Sequence, residues 1–202
     1  VKLPDRAAGV GSALRVFAEE VDLLGTSLYA HARNVVSEVI TVGRAGTLID
    51  WQGEGQQRAF VVRYNAESIL NWKIERVGGR NEVTLVVLAE SGKQKAESRK
   101  QSGDEFEEEL VPQLRVLRLV PGNQMTEDGG QRTEVWQYVV EVWQEKVISR
   151  RYKKSEWVLV DQRMPMRLGK PLEHIPFVFH GPTHSLPHVD KLPLADIIAV
   201  NL

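Results

Sequence analysis

The stretch that decides the fold is Ser27–Trp51, SLYAHARNVVSEVITVGRAGTLIDW. Thr26 or Ser27 can cap a helix here, and Gly43 can end it, because glycine adopts the left-handed backbone conformation without steric cost. Thr47–Trp51 is then rich in strand-forming residues. The stretch therefore predicts a helix that turns at a glycine and continues into the first strand of a sheet. Helical spacing predicts one apolar face on that helix, formed by Leu28, Ala32, Val35, Val36, Val39 and Ile40.

The segments on either side extend this pattern. An amphipathic helix is predicted over residues 8–24, and Gly25 separates it from the next helix, which favours an antiparallel helix pair. Hairpins are expected between 47–51 and 59–64, and between 69–77 and 82–90 across the turn GGRN. We therefore expect an α+β fold in which the N-terminal helix pair packs on one mainly antiparallel sheet. Runs of β-forming residues predict further strands at 113–120, 134–143, 156–162 and 175–179.

Two parts are expected along the chain. Residues 1–170 form an α+β domain with its helices within 8–43 and its strands within 45–162. Residues 171–202 contain an edge strand, a proline-interrupted loop and the start of a helix behind Pro193. Because the apolar sequence PLADIIAVNL ends within that helix, we expect the chain to be a fragment of a longer protein.

Composition excludes several classes of function. The 26 basic and 27 acidic residues give a net charge of −1, without the basic excess that strong phosphate-binding surfaces usually show. The chain has no cysteine, which excludes disulfides, thiol catalysis and cysteine-ligated zinc. No apolar run approaches the roughly 18–20 residues needed to span a bilayer, and no signal-peptide pattern opens the chain.

The histidines provide one candidate metal site. His180, His184 and His188 recur every four residues, but Pro182 and Pro187 disfavour the helix that would place them on one side. A surface loop is the favoured interpretation, and a metal site in an extended loop is the alternative. Both other histidines, His31 and His174, are interpreted as structural.

Two acidic residues provide a second candidate. Asp50 and Glu67 lie near the ends of neighbouring predicted strands and resemble a nuclease site for Mg²⁺. The usual lysine two residues after the acid is replaced by Ile69. Neither a phosphate-binding loop nor a G-x-S-x-G nucleophile motif occurs. The sequence therefore predicts no catalytic, cofactor-binding or metal-binding residue.

The apolar and aromatic residues of the strands leave one alternative open. Strand 113–120 has no clean polar face, which predicts burial on both sides or an interface. Core or cross-strand packing is the first interpretation of the tryptophans, and an interface is the second. All five lie on or at the ends of predicted strands: Trp51, Trp72, Trp136, Trp143 and Trp157.

An ordered set of motifs resembles the portal, or head-to-tail connector, proteins of tailed phages and prophages. The set runs through SEVITVGRAGTLIDW, FVVRYNAESILNWKI, VTLVVLAE, DEFEEE, LRVLRL, VEVW and GKPLEHIPFVFHG, and the likeness extends from about Leu14 to Leu202. Its motifs are structural rather than catalytic. The resemblance implies that the chain is mainly the wing region of such a protein, and that the helix behind Pro193 leads towards the stem.

The resemblance also implies a function. Portal proteins form closed rings of about twelve subunits through which double-stranded DNA is packaged and ejected without sequence-specific binding. It implies a homo-oligomer at the portal vertex of the virion, assembled in the host cytoplasm. Its partners would be the terminase, the capsid and head-completion proteins, with no enzyme activity, cofactor or membrane. Another phage capsid or tail adaptor protein is the alternative, followed by a metal-dependent nuclease.

Overall fold

The computed structural model describes residues 8–51, 58–93, 110–125, 132–149, 154–188 and 190–195. A single 3₁₀ turn, Ala66–Ser68, separates the second and third strands. The helices are α1 (Ala8–Glu19) and α2 (Leu28–Val42). The strands are β1 (Ala45–Trp51), β2 (Ala59–Asn65), β3 (Ile69–Val77), β4 (Arg80–Lys93), β5 (Leu110–Met125), β6 (Arg132–Ser149), β7 (Lys154–Arg163), β8 (Met166–Arg167), β9 (Lys170–Pro171) and β10 (Phe177–His180).

The fold is mostly β, so the expected α+β arrangement of a helix pair on one sheet is wrong. Strands hold 57% of the described residues and helices 18%. The strands form a three-stranded sheet of order β10-β1-β2, a five-stranded sheet of order β3-β4-β5-β6-β7, and the small pair β8-β9. The 3₁₀ turn Ala66–Ser68 follows β2, and β3 then pairs with β4 in a sheet of its own rather than with the edge of β2.

The chain divides into two compact units that are discontinuous in sequence. Unit 1 comprises 1–67 and 176–202, and unit 2 comprises 68–175. The sequence pattern predicts a single boundary, near residue 170. The C-terminal segment joins unit 1 because β10 pairs with β1 in an antiparallel register, from Ala45 opposite His180 to Leu48 opposite Phe177.

The predicted ends of α2 are confirmed. The hydroxyl of Ser27 accepts a hydrogen bond from the backbone N–H of Ala30 at 3.2 Å, as an N-cap does. Gly43 ends the helix at φ +84°, and its N–H donates to the Val39 carbonyl. A side chain there would also meet the carbonyl oxygen of Asp190 at 3.2 Å. Gly43 is therefore required both by its backbone conformation and by the close approach of the C-terminal segment.

The apolar face of α2 is only partly buried. Val35 and Val39 pack with Ala45 at the start of β1. Five large apolar residues of the helix remain exposed, namely Leu28, Tyr29, Val36, Ile40 and Val42. The first helix ends at Glu19, before the predicted end at 24. Val21, beyond that end, is fully buried, and its carbonyl accepts a hydrogen bond from Val61 of β2.

The second face of the unit 1 sheet is aromatic. The rings of Phe177 and Phe179 lie 4.9 Å apart in an edge-to-face arrangement, and Phe177 lies 6.0 Å from the ring of Tyr64. In the strand register, Gly46 stands between Phe179 and Tyr64. A residue without a side chain at this position leaves room for the two neighbouring rings, and all four residues are buried.

Unit 2 is an antiparallel meander of long strands. The predicted hairpin of β3 and β4 is confirmed, and Gly78 and Gly79 both adopt the positive φ that a two-residue turn requires. Strands β5 and β6, of 16 and 18 residues, extend into the region predicted as a loop at 121–132. Both strands are therefore longer than the sequence pattern predicted.

Several predictions fall outside the described residues. The motif DEFEEE, residues 104–109, lies there, and so does the helix expected behind Pro193 beyond residue 195. The strand predicted at 175–179 begins two residues later, at Phe177, and is an edge strand as expected. Pro176 lacks an N–H, yet its carbonyl accepts a hydrogen bond from Ile49 and so extends the alignment with β1.

Candidate functional site

Three polar side chains of unit 1 meet on the face of the sheet that carries α2. Thr47 of β1 places its hydroxyl oxygen 3.4 Å from Nε2 of His31 in α2 and 2.9 Å from Nε2 of His180 in β10. We call these residues the histidine–threonine cluster. Thr47 is buried and both imidazoles are partly buried. The cluster thus joins a helix, a central strand and an edge strand through one oxygen atom.

Burial favours the neutral form of both imidazoles in the cluster. It lowers the pKa of His31, an effect reinforced by the positive charge of Arg63 on β2 and opposed by Asp22. Burial also lowers the pKa of His180, and the neighbouring His31 lowers it further. Both imidazoles are therefore neutral near pH 7, where the ordinary pKa of histidine is about 6.5.

Neutral imidazoles suit the geometry of the cluster. A threonine hydroxyl has one proton to donate and two lone pairs that accept. One imidazole N–H therefore donates to Thr47 Oγ1, while the hydroxyl donates to the unprotonated Nε2 of the other ring. This short chain of hydrogen bonds satisfies all three buried groups, which a polar side chain in a dry environment requires.

Arg44 organises the junction between α2 and β1. Its guanidinium is buried and donates from Nη1 to the Pro187 carbonyl at 3.3 Å and from Nη2 to the Ala66 carbonyl at 3.4 Å. Burial lowers the pKa of Arg44 from its ordinary value. One side chain therefore holds the C-terminal loop and the 3₁₀ turn after β2 against the start of β1.

Substitution of Arg44 tests this role. We expect Arg44→Ala to lower the free energy of unfolding by about 2–3 kcal/mol, because two carbonyl groups lose a charged donor. Urea denaturation measures the loss, and hydrogen exchange of residues 181–188 locates it. Arg33→Ala, at an exposed position of α2, is the matched control and changes stability by less than about 0.5 kcal/mol. Equal effects of the two substitutions would contradict the assigned role.

The three regularly spaced histidines do not form one site in the structure. His180 belongs to the cluster with Thr47. His184 contacts the carboxylate of Asp190 at 3.1 Å through Nε2, and its Nδ1 accepts from the N–H of Leu186. His188 is exposed. Hydrogen bonds from Thr183, together with His184, lower the pKa of Asp190. These contacts fix the conformation of the loop after β10.

The candidate acidic pair is also separated. Asp50 lies opposite Phe60, near one end of the β1–β2 hairpin, whereas Glu67 follows Asn65, which pairs with Ala45 at the other end. Five residues of extended strand span roughly 17 Å, too far for two carboxylates to share one Mg²⁺ ion. Across the described part of the chain, no three histidine or acidic side chains are grouped closely enough to hold a metal.

Both faces of the unit 2 sheet carry apolar side chains. Val116 and Leu117 are adjacent in β5, so they point to opposite faces, and both are buried. The same holds for Val139 and Val140 in β6. The prediction that this strand region lacks a polar face is therefore confirmed.

The polar groups on this sheet are paired with one another. Arg115 and Glu90 form an ion pair at 2.8 Å, and Arg118 and Glu141 form one at 3.1 Å. The indole N–H of Trp143 donates to the same Glu141 carboxylate at 3.0 Å. The two ion pairs link neighbouring strands, β4 to β5 and β5 to β6.

The tryptophans do not form a buried core. Trp51 is 57% exposed and Trp157 is 43% exposed. The other three, Trp72, Trp136 and Trp143, are partly buried. Near Trp157, the apolar side chains of Leu159 and Val147 are also exposed. Apolar groups clustered on a surface indicate a protein–protein contact more often than isolated ones do.

Comparison with known proteins adds no assignment. The sequence matches no protein-family model, and it matches no curated protein. Neither helix in the described ranges is long and apolar enough to cross a membrane.

Sequence reasoning missed the two main polar features of unit 1. The histidine–threonine cluster joins His180 to a residue 133 positions earlier, and no local pattern encodes that distance. Arg44 follows the predicted helix end at Gly43, and the sequence pattern assigned it no role of its own. The one local signal for a structural role of Arg44 is its position. This long basic side chain lies directly before Ala45, where the buried part of β1 begins.

Proposed function

We propose that the chain is a structural subunit of a portal-like ring of a tailed phage or prophage, in which it forms mainly the wing region. The observation that carries the proposal is the five-stranded sheet of unit 2, both faces of which carry apolar side chains, with exposed ones on β6 and β7. An antiparallel sheet that stands alone in water usually has one polar face. A sheet with apolar side chains on both faces is instead suited to packing against other protein on both sides.

The chemistry of the described residues agrees with a structural role. The polar side chains of unit 1 are engaged in fastening elements together, as Arg44 and Thr47 do. The ordered motif set supplies the remaining support, because it follows the order of the portal proteins over most of the chain. In this proposal DNA passes through the ring without base-specific contacts, and a separate terminase supplies the packaging energy.

Electron microscopy of the full-length protein tests the proposal. We expect closed rings with a central channel, of about twelve subunits as symmetric closure allows. A full-length protein that remains monomeric at high concentration in mass photometry and light scattering would refute it.

A substitution on β7 tests whether ring assembly depends on the exposed apolar surface of unit 2. Leu159 is 40% exposed, so Leu159→Glu should cost the isolated subunit no more than about 1–2 kcal/mol while it places a charge in the proposed contact. We expect the ring fraction to fall at least about tenfold, equivalent to 1.4 kcal/mol of association energy. Gln162→Glu adds the same charge to the same strand at an exposed polar position and should leave the rings intact.

A further inference from the structure

The histidine–threonine cluster is the point at which the elements of unit 1 converge. His31 belongs to α2, Thr47 to β1 and His180 to β10. Arg63 of β2 stands opposite Thr47 in the strand register, and its charge lowers the pKa of His31, an effect that Asp22 in the segment between the helices opposes. A change in the charge of the two imidazoles therefore changes the electrostatic interactions of residues on all three strands of this sheet.

Strand β10 is the weakest element attached to the cluster. It has four residues and pairs with β1 at four positions, whereas β1 and β2 pair at seven. It lies at the sheet edge, so only one of its sides is held by backbone hydrogen bonds. Short edge elements open at lower free energy than the centre of a sheet.

We propose that His31, Thr47 and His180 form a proton-operated latch, which fastens β10 and α2 to β1 while both imidazoles are neutral and releases β10 when both are protonated. In the neutral state the hydroxyl donates to one ring and accepts from the other. Once both rings are charged, both Nε2–H groups donate to the same oxygen, and the hydroxyl proton loses its acceptor. Two positive charges then face each other across one atom.

The surrounding charges add to this repulsion. Arg63 contributes a third positive charge that acts on His31, and the carboxylate of Asp22 opposes it. The Asp22 carboxylate already accepts backbone hydrogen bonds from Leu24 and Thr26, which hold it in its own loop. The fastening of Pro187 by Arg44 does not change in this pH range, because guanidinium remains charged. Release is therefore confined to β10 and its contacts.

The direction of the pH dependence follows from the lowered pKa values of both histidines. Above about pH 6.5 the imidazoles are neutral in the folded and the open state, and the latch is closed. As the pH falls below that value, the open state binds protons first. The free energy that favours the closed state over the open state then decreases. It stops decreasing once the pH is below the pKa values that the two histidines have in the folded protein.

Hydrogen exchange of the 202-residue chain tests the latch. Protection factors, corrected for the intrinsic pH dependence of exchange, are measured for the amides of β1 and β10 between about pH 7.5 and pH 5.5. We expect protection in β10 to fall by up to about tenfold for each histidine, because a group whose pKa is about 6.5 in the open state favours opening by up to about that factor at pH 5.5. The central β1–β2 hairpin should lose less. Unchanged protection of β10 over this range would overturn the proposal.

Variants separate the cluster from general acid effects. In His31→Gln and His180→Gln the pH response of β10 should shrink, and in the double variant it should disappear. His188→Gln, at an exposed position of the same unit, is the matched control and should keep the full response. Persistence of the response in the double variant would refute the latch.

Titration of the wild-type histidines by NMR provides a test that needs no variant. We expect His31 and His180 to titrate below about 6.5, and the Thr47 hydroxyl environment to change with them. If both rings titrate at or above that value, protonation does not oppose the closed state and the latch is wrong. This outcome is independent of ring assembly, so failure of the latch leaves the proposed function standing.

Discussion

Phe179→Ala should lower the free energy of unfolding by about 3–5 kcal/mol, the range for removing a buried aromatic ring. The ring is 2% exposed and contacts Phe177 edge-to-face at 4.9 Å. Strand β10 is held by few backbone hydrogen bonds, so its attachment depends on this packing. The loss should appear as a lower urea midpoint and as faster hydrogen exchange at Phe177–His180.

Val178→Ala is the matched control for this prediction. Val178 is the preceding residue of the same strand, points to the opposite face and is 43% exposed. Its truncation should cost less than about 1 kcal/mol. If the two variants were equally stable, the aromatic face would not be what holds β10, and the attachment would have to come from the polar contacts of His180.

Leu117→Ala should destabilise unit 2 by about 3–5 kcal/mol, because truncation of a fully buried leucine removes apolar contacts and leaves a cavity. Leu117 is fully buried in β5, the central strand of the five-stranded sheet. Its cross-strand neighbours, Val86 and Val140, are buried too. Urea denaturation followed by far-ultraviolet circular dichroism measures the loss, and the exchange rates of β4 to β6 locate it.

Leu110→Ala makes the same chemical change at the start of the same strand, where the side chain is 60% exposed. It should cost less than about 1 kcal/mol. A loss as large as that of Leu117→Ala would show that the exposed end of β5 is covered in solution. In that case the protein concentration would change the midpoint, since association stabilises a folded chain by mass action.

The histidines show how far sequence reasoning about a site can reach. The spacing of His180, His184 and His188 suggested a common loop, and the prolines argued against a helix. The structure separates them because His180 falls on the strand register opposite Ala45 and so enters the sheet. His184 instead turns to Asp190 within the loop. Spacing along the chain cannot distinguish these outcomes, since they depend on which distant strand is the neighbour.

The apolar strands were predicted more successfully than the sheets they form. The pattern of 113–120 indicated burial or contact on both faces, and Val116 and Leu117 are both buried. The division into two sheets was not predicted, because β-strand patterns give each strand's faces but not its partners. The tryptophans were assigned first to core or cross-strand packing, yet Trp51 is 57% exposed and Trp157 is 43% exposed.

The sequence by itself determined the local elements of this protein. The cap at Ser27, the left-handed turn at Gly43 and the β3–β4 hairpin at Gly78 all follow from short-range sterics and hydrogen bonds between near neighbours. Only the tertiary structure decided that β10 returns to β1, that Arg44 is buried, and that Thr47 stands between two imidazoles. These contacts join residues up to 143 positions apart. They exist because burial favours whichever distant surfaces fit together, and that free energy depends on the assembled fold rather than on any one stretch of chain.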